Sequence, residues 1–156
     1  MTATPALDSL ILNRVFAAPI QKVFDAWTKA EILAMWFGPE GFEVLTAECD
    51  VSVGGKYEIT IQSPDKNTIK HFGEYIEVDS PHNLVFTWIL QNQECAGSEN
   101  QQATTLVSLL FMETDEGTSL TLTHEQLPDQ AAYNGHQFGW QSSLDSLFSH
   151  LIKGEI

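Results

Sequence analysis

Few side chains in this sequence could do chemistry, and they are widely spaced: His71 and Glu74 on one stretch, Trp88 after them, then His124, His136 and Trp140 toward the C-terminus. His124 shares strand parity with Leu120 and Leu122, whereas Thr121 and Thr123 take the other face. Alternation therefore turns its imidazole inward. An inward histidine can hydrogen-bond a polar group on a ligand, or it can be a satisfied structural residue, and both readings stand. His136 lies one helical turn before Trp140 and can meet the same space. Trp88 has the parity of Leu84 and Phe86 and faces inward, as cavity wall or as plain core. His71 and Glu74 fall on opposite faces of one strand. Both parity sets there mix polar and apolar residues, so alternation does not assign the face. A buried Glu74 would have a raised pKa and could serve as an acid.

What the sequence lacks narrows the chemistry further. It has no G-x-S-x-G elbow and no H-E-x-x-H pair. His124 and Glu125 are adjacent on a strand, point to opposite faces and form no dyad. Gly54-Gly55 joins two strands rather than opening a helix, so it is no phosphate loop. Cys49 and Cys95 form no C-x-x-C arrangement, which leaves neither a zinc site nor a redox motif in view. No cofactor and no metal are expected. Catalysis asks for a matched acid and base, whereas binding asks only for an apolar pocket with a few hydrogen bonds. Binding ranks first.

The 156 residues fit one domain spanning 1–156, long enough to bury a core. Seven Lys+Arg against 21 Asp+Glu give a formal charge of −14, and Arg14 is the only arginine. Nucleic-acid affinity rests on phosphate neutralisation and anionic membranes attract basic segments, so both partners are disfavoured. The acidity reads as a solubility device and biases any ligand away from strong anions. The N-terminus lacks a signal-peptide pattern, and the longest apolar runs, such as Leu84 to Leu90, are strand-length. A cytoplasmic protein, a monomer or weak homodimer, is expected.

These residues need elements to position them. A strand from Leu7 to Phe16 is followed by two short helices, one begun at Pro19 with Val23, Phe24 and Trp27 on its apolar face, the other from Lys29 to about Trp36, stopped by Gly38-Pro39. Strands then follow at Phe42–Asp50, Lys56–Gln62, Ile69–Val78, Asn83–Leu90, Thr104–Met112 and Ser119–Glu125, with a longer polar loop from Gln91 to Gln102. Asp129 can cap a last helix reaching Lys153, on which Tyr133, His136, Trp140, Leu144, Leu147 and Leu151 form one stripe. Gly135 and Gly139 remove bulk from the part of that helix nearest Trp140. The order predicts an α+β fold with helices on one face of an antiparallel sheet.

Spaced short motifs running from Leu10 to Leu151 carry a family resemblance: Arg14, Ala18-Pro19, Val23-Phe24, Ala26-Trp27-Thr28, Trp36-Phe37-Gly38-Pro39, Asp50, Gly54-Gly55, Gly73, Leu84 to Trp88, His124, His136 and Gly139-Trp140. In order and spacing they resemble the domain family named after the activator of the Hsp90 ATPase, within the Bet v 1/START-like (SRPBCC) group. The resemblance implies a helix-grip fold, a curved antiparallel sheet wrapped around the long C-terminal helix, with a cavity between them. It also brings two alternatives to plain binding: a polyketide cyclase-like enzyme using cavity His and Glu residues, or a module that contacts Hsp90. One departure is Ser52, where the family often has an arginine before the Gly-Gly turn.

The expected ligand is a small hydrophobic, aromatic or lipid-like molecule. Phe86, Trp88, Leu122, His124, His136 and Trp140 are expected to touch it, with Tyr57 and Trp36 at the rim. Trp27 and Phe24 are expected to anchor their helix to the sheet instead.

Overall fold

A computed structural model describes residues 9–92 and 104–156. The element order is β1 (Leu10–Phe16), α1 (Ile20–Thr28), α2 (Ala30–Trp36), β2 (Glu43–Cys49), β3 (Lys56–Gln62), β4 (Thr68–Asp79), β5 (Asn83–Asn92), β6 (Thr105–Thr114), β7 (Gly117–Glu125) and α3 (Gln130–Ile152). The seven strands form one sheet in the order β1-β7-β6-β5-β4-β3-β2, antiparallel throughout. With two short helices after the first strand and a long one at the end, this is the helix-grip architecture. The strand expected to begin at Leu7 begins at Leu10. Strand β5 runs on to Asn92 and takes in the first two residues of the polar loop expected from Gln91 to Gln102; residues 93–102, Cys95 among them, lie outside the described residues. No helix among the described residues is long and apolar enough to cross a membrane.

Alternation builds the sheet's inner face. Tyr57, Ile59 and Ile61 of β3, Val107, Leu109 and Phe111 of β6, and Leu120, Leu122 and His124 of β7 are all buried. Helices α1 and α2 add Val23, Phe24, Trp27, Leu33 and Trp36 to the same core. The turn into β3 is held by Asp50 and Ser52: the Ser52 hydroxyl donates to the Asp50 carboxylate at 3.1 Å, and Gly55 N–H donates to the Ser52 carbonyl at 2.8 Å. Gly54 has φ +85°, and a Cβ on Gly55 would lie 2.1 Å from the Asp50 carbonyl, so the turn requires this pair.

Strand β4 carries both His71 and Glu74. Phe72 pairs with Ile89 and Tyr75 with Phe86 in one register, which shifts between Tyr75 and Glu77. A Cβ at Gly73 would come within 2.1 Å of the Thr87 carbonyl oxygen, so only glycine allows this approach. Alternation up to Tyr75 sets the faces of this strand: His71 and Tyr75 are buried and Glu74 is exposed.

Asp129 caps α3, its carboxylate accepting from Ala132 N–H at 2.8 Å. The helix is apolar along only part of its length. Leu144, Leu147 and Leu151 are buried, Phe148 packs near Phe16 with ring centroids 6.2 Å apart, and Arg14 pairs with Asp145 at 2.6 Å. Toward the N-terminus, Tyr133 and His136 are only half-buried. Leu144→Ala or Leu147→Ala should therefore destabilise the protein by about 2–5 kcal/mol, read from urea unfolding. A loss well under about 1 kcal/mol at both positions would contradict this packing of α3.

Candidate functional site

Where the helix loses its apolar stripe, a cavity of about 630 Å³ opens between α3 and strands β3, β4 and β5. Its floor is Ile61, Ile69, His71, Trp88 and Leu90; its helical wall is Ala132, Gly135, His136, Gly139, Trp140 and Ser143; its roof is the Phe37–Phe42 loop after α2. The two glycines leave it open. A Cβ on Gly135 would meet nothing within 4 Å, and one on Gly139 only Pro39 Cγ at 4.0 Å. The roof is pinned to the helix by hydroxyls: Gly38 N–H donates to Ser143 Oγ at 3.2 Å, and Glu40 N–H to Ser142 Oγ at 2.8 Å.

The aromatic wall is one contact network. Trp88 and Trp140 have ring centroids 4.8 Å apart, His71 and Trp88 4.9 Å, and Phe37 and His71 5.2 Å. Hydrogen bonds fix the histidines within it. Trp140 Nε1–H donates to His124 Nδ1 at 3.0 Å, so the His124 proton sits on Nε2 and is donated to Thr105 Oγ1 at 2.7 Å; that hydroxyl donates to the Trp88 carbonyl at 2.9 Å. Trp88 Nε1–H donates to His136 Nε2 at 3.1 Å, and His136 Nδ1–H donates to the Ala132 carbonyl at 2.8 Å. His71 Nδ1–H donates to the Ile59 carbonyl at 3.3 Å.

All three imidazoles are neutral by environment. Desolvation pulls His71 down to about 4 and His124 to about 3, with His136 adding a repulsive contribution to each. Burial also lowers His136, partly opposed by its bond to Ala132. Among the described residues no group of three His, Cys, Asp or Glu side chains could hold a metal ion.

Three of the eight residues read from the sequence line this cavity: Trp88, His136 and Trp140. The other five lie elsewhere. His124 is completely buried behind Trp140, a structural histidine with both nitrogens bonded. Leu122 is core. Tyr57 and Phe86 border a separate void of about 20 Å³, and Tyr57 donates its hydroxyl to the Thr87 carbonyl at 2.7 Å rather than standing at a rim. Trp36 donates to the Ala26 carbonyl at 2.9 Å and borders a second cleft beyond the roof loop. Its neighbour Phe37 faces the cavity instead; Leu33 and Trp36, three apart, already form the core face of α2. His71, Asp129 and Ser143 are the polar residues of the lining absent from that set. The signal for His71 was alternation itself: it shares parity with Tyr75 in an unbroken register, and both are buried.

Depressed histidine pKa values tie stability to pH with a definite sign. The unfolded chain takes up protons near 6.5 that the folded imidazoles refuse, so stability is complete above about 6.5 and falls as pH drops toward the folded values. Each buried neutral imidazole costs about 1.4 kcal/mol per pH unit in that window. Urea unfolding should lose on the order of 3 kcal/mol between about pH 6.5 and 5. A flat profile there would mean that the imidazoles are not held neutral.

Comparison with known proteins places this geometry. Solved structures with the same fold include an AHSA1 protein from Silicibacter pomeroyi, 26% identical, with a TM-score of 0.81 over 94% of this chain and 99% of that one. A protein from Staphylococcus epidermidis solved by NMR is 28% identical, with a TM-score of 0.77 over 100% and 96% of the two chains. A third, from Chromobacterium violaceum, is 25% identical, with a TM-score of 0.80 over 92% and 96%. Comparison with curated proteins gave no match. The sequence profile described as "Activator of Hsp90 ATPase homolog 1-like protein" matches residues 17–151, and the chain belongs to that family.

Proposed function

We propose that this protein binds a small, largely apolar molecule in the cavity between the sheet and the N-terminal half of α3. The observation that carries the proposal is the aromatic-lined space of about 630 Å³, kept open by Gly135 and Gly139 on one helical face. That volume lies within the about 300–1,000 Å³ usual for small-molecule sites. Burial of the ligand against Phe37, Trp88 and Trp140 supplies the affinity, and the few polar groups of the wall set its orientation.

The cyclase-like alternative has lost its acid, because Glu74 is exposed and the lining histidines are weak bases. Contact with Hsp90 would use the outer surface and is separable by experiment: stimulation of the Hsp90 ATPase by this chain alone would favour that reading over binding.

Native mass spectrometry of freshly purified protein should reveal a carried-over molecule, and an aromatic and lipid screen read by tryptophan fluorescence should find ligands. Gly139→Ala should keep binding and stabilise the helix by up to about 1 kcal/mol, since the added methyl meets open space. Gly139→Leu should fold and lose binding. Trp88→Ala should weaken binding more than Trp27→Ala, in variants that remain folded. Unchanged binding in folded Gly139→Leu would place the ligand somewhere else.

A further inference from the structure

The cavity wall has several ring N–H donors, and every one is already engaged. Trp88 gives its proton to His136, Trp140 to His124, and His136 to the Ala132 carbonyl. His71 follows the same rule on one side only. Its Nδ1 faces a carbonyl, which can only accept, so the proton of the neutral ring is on Nδ1 and Nε2 carries a lone pair. No described residue hydrogen-bonds that Nε2, and it is not among the sealed, unpartnered atoms of the interior, so it reaches the cavity space. It is the ring nitrogen of this wall that remains open to a ligand.

Charge narrows the choice further. All seven Lys and Arg residues are described, and none lines the cavity. Among the described residues, the one carboxylate in the lining is Asp129, at the helix cap. A carboxylate or phosphate entering here would lose its hydration with no cation to replace it. An ether or ketone would leave the His71 lone pair unpaired. The hydroxyl of Ser143, 3% exposed, accepts from Gly38 and can rotate to complement a second ligand group.

Resting on the binding proposal above, we infer that the ligand is an uncharged ring compound carrying one O–H or N–H donor, accepted by His71 Nε2, and that His71 sets this specificity. Equilibrium dialysis against three probes of one ring system tests it: 2-naphthol, 2-methoxynaphthalene and 2-naphthoate. The first is an uncharged donor at neutral pH, the second lacks the donor, and the third is an anion. Wild-type protein should bind 2-naphthol about five- to tenfold more tightly than 2-methoxynaphthalene, the usual weight of one hydrogen bond, and 2-naphthoate more weakly than either. His71→Leu should bring the first ratio close to one by weakening 2-naphthol alone, and His71→Gln, which restores an acceptor oxygen, should recover part of it. Equal wild-type binding of 2-naphthol and 2-methoxynaphthalene, with both lost in Gly139→Leu, would overturn the donor rule and leave the cavity reading intact. Tightest binding of 2-naphthoate would also overturn it. Binding of neither neutral probe would overturn both. Should His71→Leu fail to fold, the wild-type comparison decides alone.

Discussion

Helix α3 is attached to the sheet by two different kinds of force, and the cavity exists because they act at opposite ends. Its C-terminal half is packed: Leu144, Leu147 and Leu151 are buried, with Phe148 near Phe16. Its N-terminal half is tethered, through Trp140 to His124 and through His136 to Trp88, by hydrogen bonds of 3.0 and 3.1 Å. Apolar contact is non-directional and tends to close-pack whatever it joins. An indole–imidazole hydrogen bond instead fixes a distance and an angle. At about 1 kcal/mol each, these bonds add less stability than a buried leucine at about 2 kcal/mol. Their contribution is to hold the helix off the sheet floor without filling the gap.

The roof depends on the same helix. Phe37 lies between α2 and the cavity, with ring contacts to His71, Trp88 and Trp140 at 5.2, 6.1 and 6.3 Å. The backbone that follows it is tied to α3 by Ser143 and Ser142. Adjacent serines on one helix thus serve two faces of one loop: Ser143 is buried and borders the cavity, while Ser142 borders the outer cleft. Sheet floor, helical wall and roof are therefore positioned by one element, and its N-terminal anchor at Asp129 sits at the mouth.

Most of the fold was legible because its signals are local. Alternation in Tyr57, Ile59 and Ile61, the Gly54-Gly55 turn, the Asp129 cap and the Leu144–Leu147–Leu151 stripe each state their element without reference to the rest. The site was less legible, since facing inward and facing a cavity are different properties. Leu122, His124 and Phe86 point inward as parity requires, yet close packing surrounds them. Parity put His71 and Glu74 on opposite faces, where they are, but it did not say which face was inner, because both sets mix polar and apolar residues. The register shift after Tyr75 is what mixes the sets: beyond it Glu77 is exposed and Val78 packs against the core. For Trp36 and Phe37, adjacent aromatic residues at a helix end, helical spacing favours Trp36 for the core and leaves Phe37 for the space beyond.

The protonation of this wall argues for recognition over proton transfer. A general base works best with a pKa near the working pH, and His71, held near 4 by desolvation, is far from it. Raising that value would take an anion beside the ring or water around it, and the Trp88 and Phe37 rings that pack against His71 provide neither. The same apolar surroundings that weaken His71 as a base strengthen it as a discriminator. In a low-dielectric site a matched hydrogen bond counts for more, and an unmatched one is costly. An imidazole kept neutral and locked in one tautomer presents a single acceptor in a fixed direction. That is a poor tool for moving protons and a good one for choosing among ligands of similar shape.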